Sequence, residues 1–209
     1  MTSEGIAERV GRVVGESGPS LPQGAEEAIG RWIDLVSAWN KRIDLTAAKT
    51  EDDLVDLMLA DALVLAARIP EGARVVDVGT GAGAPGLPLA IARPDLSVTL
   101  VEPLQKRVAL LRTALGSLSG ARPTVVRARG EELAARGERF DVAASRATLA
   151  PAVWLTLGAK LAPEGAVWVL LAREAPPAKE GWRIVDDVSY RWPLTGKERR
   201  AVRFMACGR

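Results

Sequence analysis

The 209-residue chain has no histidine and one cysteine, Cys207. Without an imidazole it can hold no Ser-His-Asp triad, no histidine general base and no histidine-ligated metal. A lone thiol forms no internal disulfide, and so close to the chain's end it is no candidate for the nucleophile that methylation at a pyrimidine carbon requires. A reducing cytoplasm is the expected setting. Aromatic residues make up only 4% of the chain, and the longest uninterrupted apolar run, Ala166 to Ala172, is far too short to span a bilayer. The first residues, Met-Thr-Ser-Glu-Gly-Ile-Ala-Glu, are acidic rather than basic and apolar. Neither export, membrane anchoring nor metal catalysis is expected.

Apolar residues make up 48% of the chain and no low-complexity tract interrupts it, which suits one core with an appendage. The formal net charge is +2, unevenly spread: residues 1–70 hold 12 acidic and 7 basic side chains, so the excess of positive charge lies in 71–209. A basic second half fits a polyanionic substrate, and scattered solvated arginines fit it equally.

The periodicity of the apolar residues changes near Pro70-Glu71-Gly72, giving an expected helical extension at 1–70 and a second unit at 71–209. Ile29, Trp32, Ile33, Val36, Trp39 and Ile43 recur every three or four residues, which predicts one buried helical face over 25–43 with both tryptophans in the core. Thr50-Glu51-Asp52-Asp53 has the form of a capping box opening a helix through about Ala67, and an earlier helix is expected at 4–16. From residue 74 strand-like and helical stretches alternate: strands at 74–78, 97–102, 124–128, 140–144 and 166–171, with helices from Gly86, at 105–115, 131–135 and 150–161. This predicts a mostly parallel sheet with helices on both faces, binding its ligand beyond the strands' carboxyl ends. Strands at 183–190 and 198–206 look like a terminal hairpin, giving seven strands in all. Lys197-Glu198-Arg199-Arg200 is either the solvated start of that hairpin's last strand or a phosphate contact, and Trp182 and Trp192 are either core residues or surfaces for stacking bases.

The first of these strands runs into Asp77-Val78-Gly79-Thr80-Gly81-Ala82-Gly83-Ala84-Pro85-Gly86, and the second ends on Glu102. Glycines at 79, 81 and 83 allow a sharp turn with no side chain between loop and ligand, and an acidic residue ending the next strand can accept from ribose hydroxyls. The pattern alone also fits a dinucleotide. Asp77 would repel a pyrophosphate and attract a cationic amino-acid end, which favours S-adenosylmethionine.

Several motifs in order resemble the RsmG/GidB family of bacterial methyltransferases, which modify guanine N7 in 16S ribosomal RNA. Trp39-Asn40-Lys41-Arg42-Ile43-Asp44-Leu45-Thr46 is similar to the family's Trp-Asn-Lys-x-x-Asn-Leu-Thr. The glycine loop is similar through its Pro-Gly-x-Pro continuation, as are Glu102 with Lys106-Arg107, Arg129-Gly130-Glu131-Glu132 and Ser145-Arg146-Ala147. The resemblance implies a Rossmann-like class I S-adenosylmethionine-dependent methyltransferase acting as a monomer on 16S rRNA or the small ribosomal subunit. With it, Asp77, Gly79, Gly81, Gly83, Ala84, Glu102, Gly130, Glu131 and Arg146 are expected around the cofactor, Arg146 and Asn40 as catalytic candidates, and Lys41, Arg173 and Arg199 on the RNA. The family's His is Met58 here, its Ala-Leu-Lys-Gly is Leu171-Ala172-Arg173-Glu174, and its second asparagine is Asp44. These departures fall on the substrate side. They leave open a different RNA or small-molecule acceptor, and a non-catalytic module that binds cofactor or RNA.

The chemistry agrees with the absences. Guanine N7 carries a lone pair and no proton, so in-line transfer from a sulfonium needs positioning and tolerance of the cation formed, with no general base. Ser145-Arg146-Ala147-Thr148 stands where exocyclic-amine methyltransferases carry an Asn/Asp-Pro-Pro-aromatic motif. A guanidinium at a strand's carboxyl end can grip a carboxylate or phosphate with two nitrogens, although pairing with a nearby acid is the plainer role. Glu131 and Glu132 also suit a helix N-terminus, and Asn40, Lys41 and Asp61 could equally cap and pack between the front helices and the sheet.

Overall fold

The computed structural model describes residues 3–17, 20–118 and 123–207. Three helices come first, α1 (Ser3–Ser17), α2 (Ala25–Asn40) and α3 (Glu51–Ala66). Then follow β1 (Arg74–Val78), α4 (Gly86–Ala92), β2 (Ser97–Val101), α5 (Gln105–Gly116), β3 (Thr124–Val126), α6 (Gly130–Ala135), β4 (Val142–Arg146), α7 (Pro151–Leu161) and β5 (Ala166–Leu171). The hairpin of β6 (Trp182–Arg191) and β7 (Glu198–Ala206) completes the order. The seven strands form one sheet in the order β3-β2-β1-β4-β5-β7-β6. The first five run parallel, β7 pairs antiparallel with β5, and β6 with β7, so the sheet is mixed. Strand order reverses between β1 and β4, the place where such sheets bind ligands.

Side chains alternate across each strand. Val75, Val98, Val142, Ala144 and Trp168 join a core with α1 to α5, whereas Val76, Val78, Ala143, Val167 and Val169 join a second core with α6 and α7. The first core is continuous from Ile6 through Trp32 and Leu63 to Ala201, so the front helices cover one sheet face directly.

Three elements depart from expectation by two residues or more, β3 by ending at Val126 rather than 128. The α2 helix stops at Asn40, whose Oδ1 accepts from the N–H groups of Leu45 and Thr46 at 2.9 and 3.0 Å and bends the chain away before Ile43. Strand β4 begins at Val142 rather than 140: the Phe140 amide donates to Leu161 O at the end of α7 at 2.9 Å, and the exposed Asp141 accepts from the Arg74 amide through Oδ2 at 2.7 Å. Its shifted end carries Arg146, on the same face as Val142 and Ala144. The α3 start follows the sequence signal: Thr50 caps it by accepting from the Asp53 amide at 3.0 Å.

The acidic side of α3 holds the hairpin against the first core. Asp56 is fully buried and accepts from Leu194 N, Thr195 N and Thr195 Oγ1 at 3.2, 2.8 and 2.8 Å, while Lys197 pairs with Asp53. A shift of register between Ile184 and Asp186 marks a bulge in β6. One extra residue moves every later side chain to the opposite face. Trp182 therefore packs with the second core, and Tyr190 with the first.

Replacing Asp56 by Ala strands three donors at the hairpin turn. Equilibrium urea unfolding is expected to show a loss on the order of 2–4 kcal/mol, with hydrogen exchange at 194 and 195 accelerated more than in β1.

Candidate active site

The glycine loop leaves β1 beside the switch point and is pinned from three sides. Gly79 N and Thr80 N donate to Val101 O at 2.8 and 3.1 Å, so the loop begins tied to the end of β2. Asp77 Oδ2 accepts from Thr80 Oγ1 at 2.6 Å and Gly86 N at 2.8 Å, closing the loop onto the start of α4. The Trp32 indole of α2 donates to Ala82 O at 3.1 Å. The glycines serve different needs. Gly79, Gly81 and Gly83 have φ of 72°, 62° and 122°, a region that L side chains rarely adopt. A Cβ on Gly86 would meet the Asp77 carboxylate at 2.8 Å.

Asp77 is 1% exposed, and burial pushes its carboxyl up to about 6. Its Oδ1 has no hydrogen-bond partner among the described residues. An orphaned buried carboxylate oxygen beside the loop fits the cationic end of S-adenosylmethionine and opposes a pyrophosphate. Glu102, also 1% exposed, accepts from Gly81 N at 3.0 Å and Leu104 N at 2.9 Å, one bond per oxygen. Arg107 Nη1 stands 3.8 Å from Oε2, and since a carboxylate has room for about four hydrogen bonds, Glu102 keeps acceptor capacity. Beside it Leu104 is 54% exposed, an apolar surface just beyond the end of β2. Gly130 is buried, with no room for a side chain because a Cβ there would meet Val78 Cγ1 at 2.6 Å, and Glu131 next to it is exposed. Glu132 accepts from Arg129 N at 3.0 Å, the capping role that its position suggests.

Ser145 Oγ donates to Val78 O at 2.7 Å and joins the ends of β4 and β1. Ala147 follows at φ 52°, a strained setting for a residue with a Cβ, and this reversal lays Thr148 over the loop, its hydroxyl 3.2 Å from Gly79 O. Arg146 donates through Nη1 to Leu57 O and to Asp61 Oδ2, the latter at 3.1 Å. Nη2 and Nε carry no hydrogen bond among the described residues, and the side chain lines a cavity of about 200 Å³ bounded by Leu57, Asp61, Leu149, Leu170 and Tyr190. Burial and the Asp61 carboxylate push the Tyr190 phenol up, so it stays a donor at neutral pH.

The predicted residues thus fall into groups. Asp77, Gly79, Gly81, Gly83, Ala84 and Glu102 are together at the loop, Gly130 lies behind Val78, and Arg146 lies across the switch point. Asn40 and Lys41 line a separate depression with Arg9, Lys49 and Glu51. Asn40 Oδ1 is bound to the turn after α2, and Asn40 does not line the Arg146 cavity. Arg173 and Arg199 line a broad basic groove of about 1290 Å³ that shares Ala172, Glu174, Tyr190 and Arg199 with the Arg146 cavity. Arg199 stacks 3.8 Å from the centre of the Trp192 ring, which is buried. Met58 is buried in the first core, while its neighbour Leu57 faces the cavity. Tyr190, Thr148 and the loop contact of Trp32 were not expected from the sequence, whereas Asp61 packs between the front helices and the sheet as one of its two expected roles. No local pattern marks them, because each partner is remote in the chain.

Residues 25–179 match the family described as rRNA small subunit methyltransferase G. The chain belongs to that family. A ribosomal RNA small subunit methyltransferase G from Anaeromyxobacter sp. (strain Fw109-5) is 34% identical over 90% of this chain and 91% of its own length. One from Methylobacillus flagellatus is 35% identical, covering 78% and 79%. Among solved structures, TrmN from Thermus thermophilus superposes with a TM-score of 0.55 at 22% identity over 73% of this chain and 48% of its own. A putative methyltransferase, yhhF from Escherichia coli, gives 0.55 at 16% identity over 71% and 84%. These structures share the α/β fold of methyltransferases. No helix among the described residues is long and apolar enough to cross a membrane.

Folding raises the Asp77 pKa above its ordinary value of 3.8, so the native state holds that proton more tightly, and its contribution to stability falls as pH rises from about 4 to about 6. Affinity for S-adenosylmethionine runs the other way, since the ionised form attracts its ammonium. Calorimetry is expected to show affinity falling as pH drops through about 6, and Asp77→Asn to lower affinity at pH 7.5 and flatten this dependence.

Proposed function

We propose that the protein transfers a methyl group from S-adenosylmethionine to nitrogen 7 of a guanine in the 16S rRNA of the small ribosomal subunit, acting as a monomer in the cytoplasm. The observation that carries this reading is the meeting, at the switch point of a family member, of the pinned glycine loop with a cavity that contains Arg146 and no histidine. When bound, the cofactor supplies a methyl group made electrophilic by its sulfonium.

The chain's part is positioning. Asp77 Oδ1 would receive the ammonium end, Glu102 the ribose hydroxyls, and Gly79, Gly81 and Ala84 the close backbone approach. Gly130 and Glu131 would flank the adenine. Arg146, with Nη1 already engaged, would offer its free edge to the methionine carboxylate, leaving the cavity between Leu57, Leu149, Leu170 and Tyr190 for the acceptor base. A cavity with apolar walls at Leu57, Leu149 and Leu170 and polar groups at Asp61, Arg146 and Tyr190 suits a base taken out of its stack. No proton has to leave N7, so no base is required. The positive charge that develops on the ring falls beside Glu174, which lines the same cavity. Arg173 and Arg199 would meet phosphates in the adjoining groove. In this arrangement residues 1–70 serve as a cover that braces the loop of the methyltransferase unit at 71–209.

Purified protein incubated with labelled S-adenosylmethionine and small subunits lacking this methyl group is expected to label a single guanine in the RNA. Cofactor binding without transfer to any RNA would contradict the assignment. In the same assay Gly79→Ala, which places a Cβ against the Thr148 side chain at positive φ, is expected to weaken cofactor affinity by about tenfold or more.

A further inference from the structure

Asp61 is 2% exposed and belongs to α3, in the helical front, far in sequence from the cofactor loop. Its carboxylate nevertheless forms part of the wall of the Arg146 cavity. Oδ2 accepts from Arg146 Nη1 at 3.1 Å, and Oδ1 accepts from the Tyr190 hydroxyl at 2.8 Å and the Trp192 indole at 2.9 Å. Three stretches of chain therefore meet on one side chain: α3, the end of β4, and the end of β6 with the residue after it.

Several features bring this meeting about. The register of β4 sets Arg146 on the face that α3 covers, and the β6 bulge turns Tyr190 to that face. Asp56 and Asp53, one and two turns earlier on α3, hold the hairpin turn beside it. Space filling alone does not account for a buried acid here, because replacing buried ionic groups with apolar ones of similar size is often neutral or stabilising. The carboxylate fixes where a flexible arginine and a phenol hydroxyl stand in the cavity wall.

We propose that Asp61 is a positioning residue for methyl transfer, acting through Arg146 and Tyr190 to set the polar wall of the transfer cavity. This rests on the reading of that cavity as the place where cofactor and base meet. Asp61→Asn tests it with little change of shape. The amide keeps a carbonyl oxygen for Tyr190 and Trp192, while its NH₂ group opposes the Arg146 guanidinium and removes the charge that holds it.

The experiment compares wild type, Asp61→Asn, Arg146→Ala and the double variant in the full chain. Single-turnover transfer to small subunits lacking the methyl group is expected to slow by roughly tenfold or more in Asp61→Asn, since misplacement by about 1 Å can cost up to a hundredfold. Affinity for 5′-methylthioadenosine, which has the adenosine part but no amino-acid end, is expected to stay within about twofold of wild type. The double variant is expected to be no slower than Arg146→Ala within about twofold, because one residue acts through the other. Wild-type transfer in Asp61→Asn, or effects that add in the double variant, would overturn the proposal. If Asp61→Asn does not fold, Asp61→Glu decides: it keeps the charge and displaces it by a methylene, and a wild-type rate in that variant would also overturn it. If the wild type transfers no methyl group to RNA, the functional reading fails on its own. Positioning is then judged by the affinity for S-adenosylmethionine relative to 5′-methylthioadenosine, which Asp61→Asn lowers if Arg146 is displaced and leaves unchanged if it is not.

Discussion

The carboxylate of Asp61 accepts hydrogen bonds from Arg146, Tyr190 and Trp192, groups supplied by β4, β6 and the turn beyond it. Much of the site's arrangement depends on this convergence. A buried carboxylate is stable only when donors surround it, so α3, β4 and the hairpin cannot separate without exposing unpaired charge. The consequence reaches function because Arg146 and Tyr190 also line the cavity beside the glycine loop. The contacts that dock the front helices on the sheet are thus the ones that shape the mouth of the site.

A second brace acts on the cofactor side. The Trp32 indole reaches from α2 to Ala82 O, and a Cβ on Gly83 would lie 3.1 Å from the same ring. The loop's close fit against this helix explains a small residue at 83 as well as its backbone conformation. The loop is fixed at both ends by Asp77 and Glu102, which the same geometry leaves with acceptor capacity to spare. Fixed donors and acceptors of this kind favour catalysis by positioning, the route open to a chain without a histidine.

What the sequence disclosed and what it hid divide along a physical line. Periodicity revealed the fourteen elements found among the described residues, because each depends on neighbours within a few residues, and the Thr50 cap and the glycine loop were legible for the same reason. The end of α2 was misjudged, since Ile43 continues the helical spacing while the Asn40 side chain bends the chain away. The start of β4 differs because Phe140 reads as a strand residue while its amide is spent on Leu161 O of α7. Ordered motifs marked Asp77, Glu102 and Arg146. They did not mark Tyr190, whose facing depends on a one-residue bulge, or the partnership of Asp61 with Arg146 across 85 positions. Asn40 is a motif residue whose Oδ1 holds the turn after α2, the capping role that the sequence offered beside a site role.

The central claim is that the helical front is part of the working site rather than an appendage to it. It is tested most directly by deleting residues 1–70 and measuring the unfolding and cofactor binding of the 71–209 fragment. The account predicts loss of the cooperative transition and of S-adenosylmethionine binding, since Trp32, Asp56 and Asp61 leave together with the cover over the first core. A fragment that unfolds cooperatively and binds the cofactor with the affinity of the full chain would contradict it.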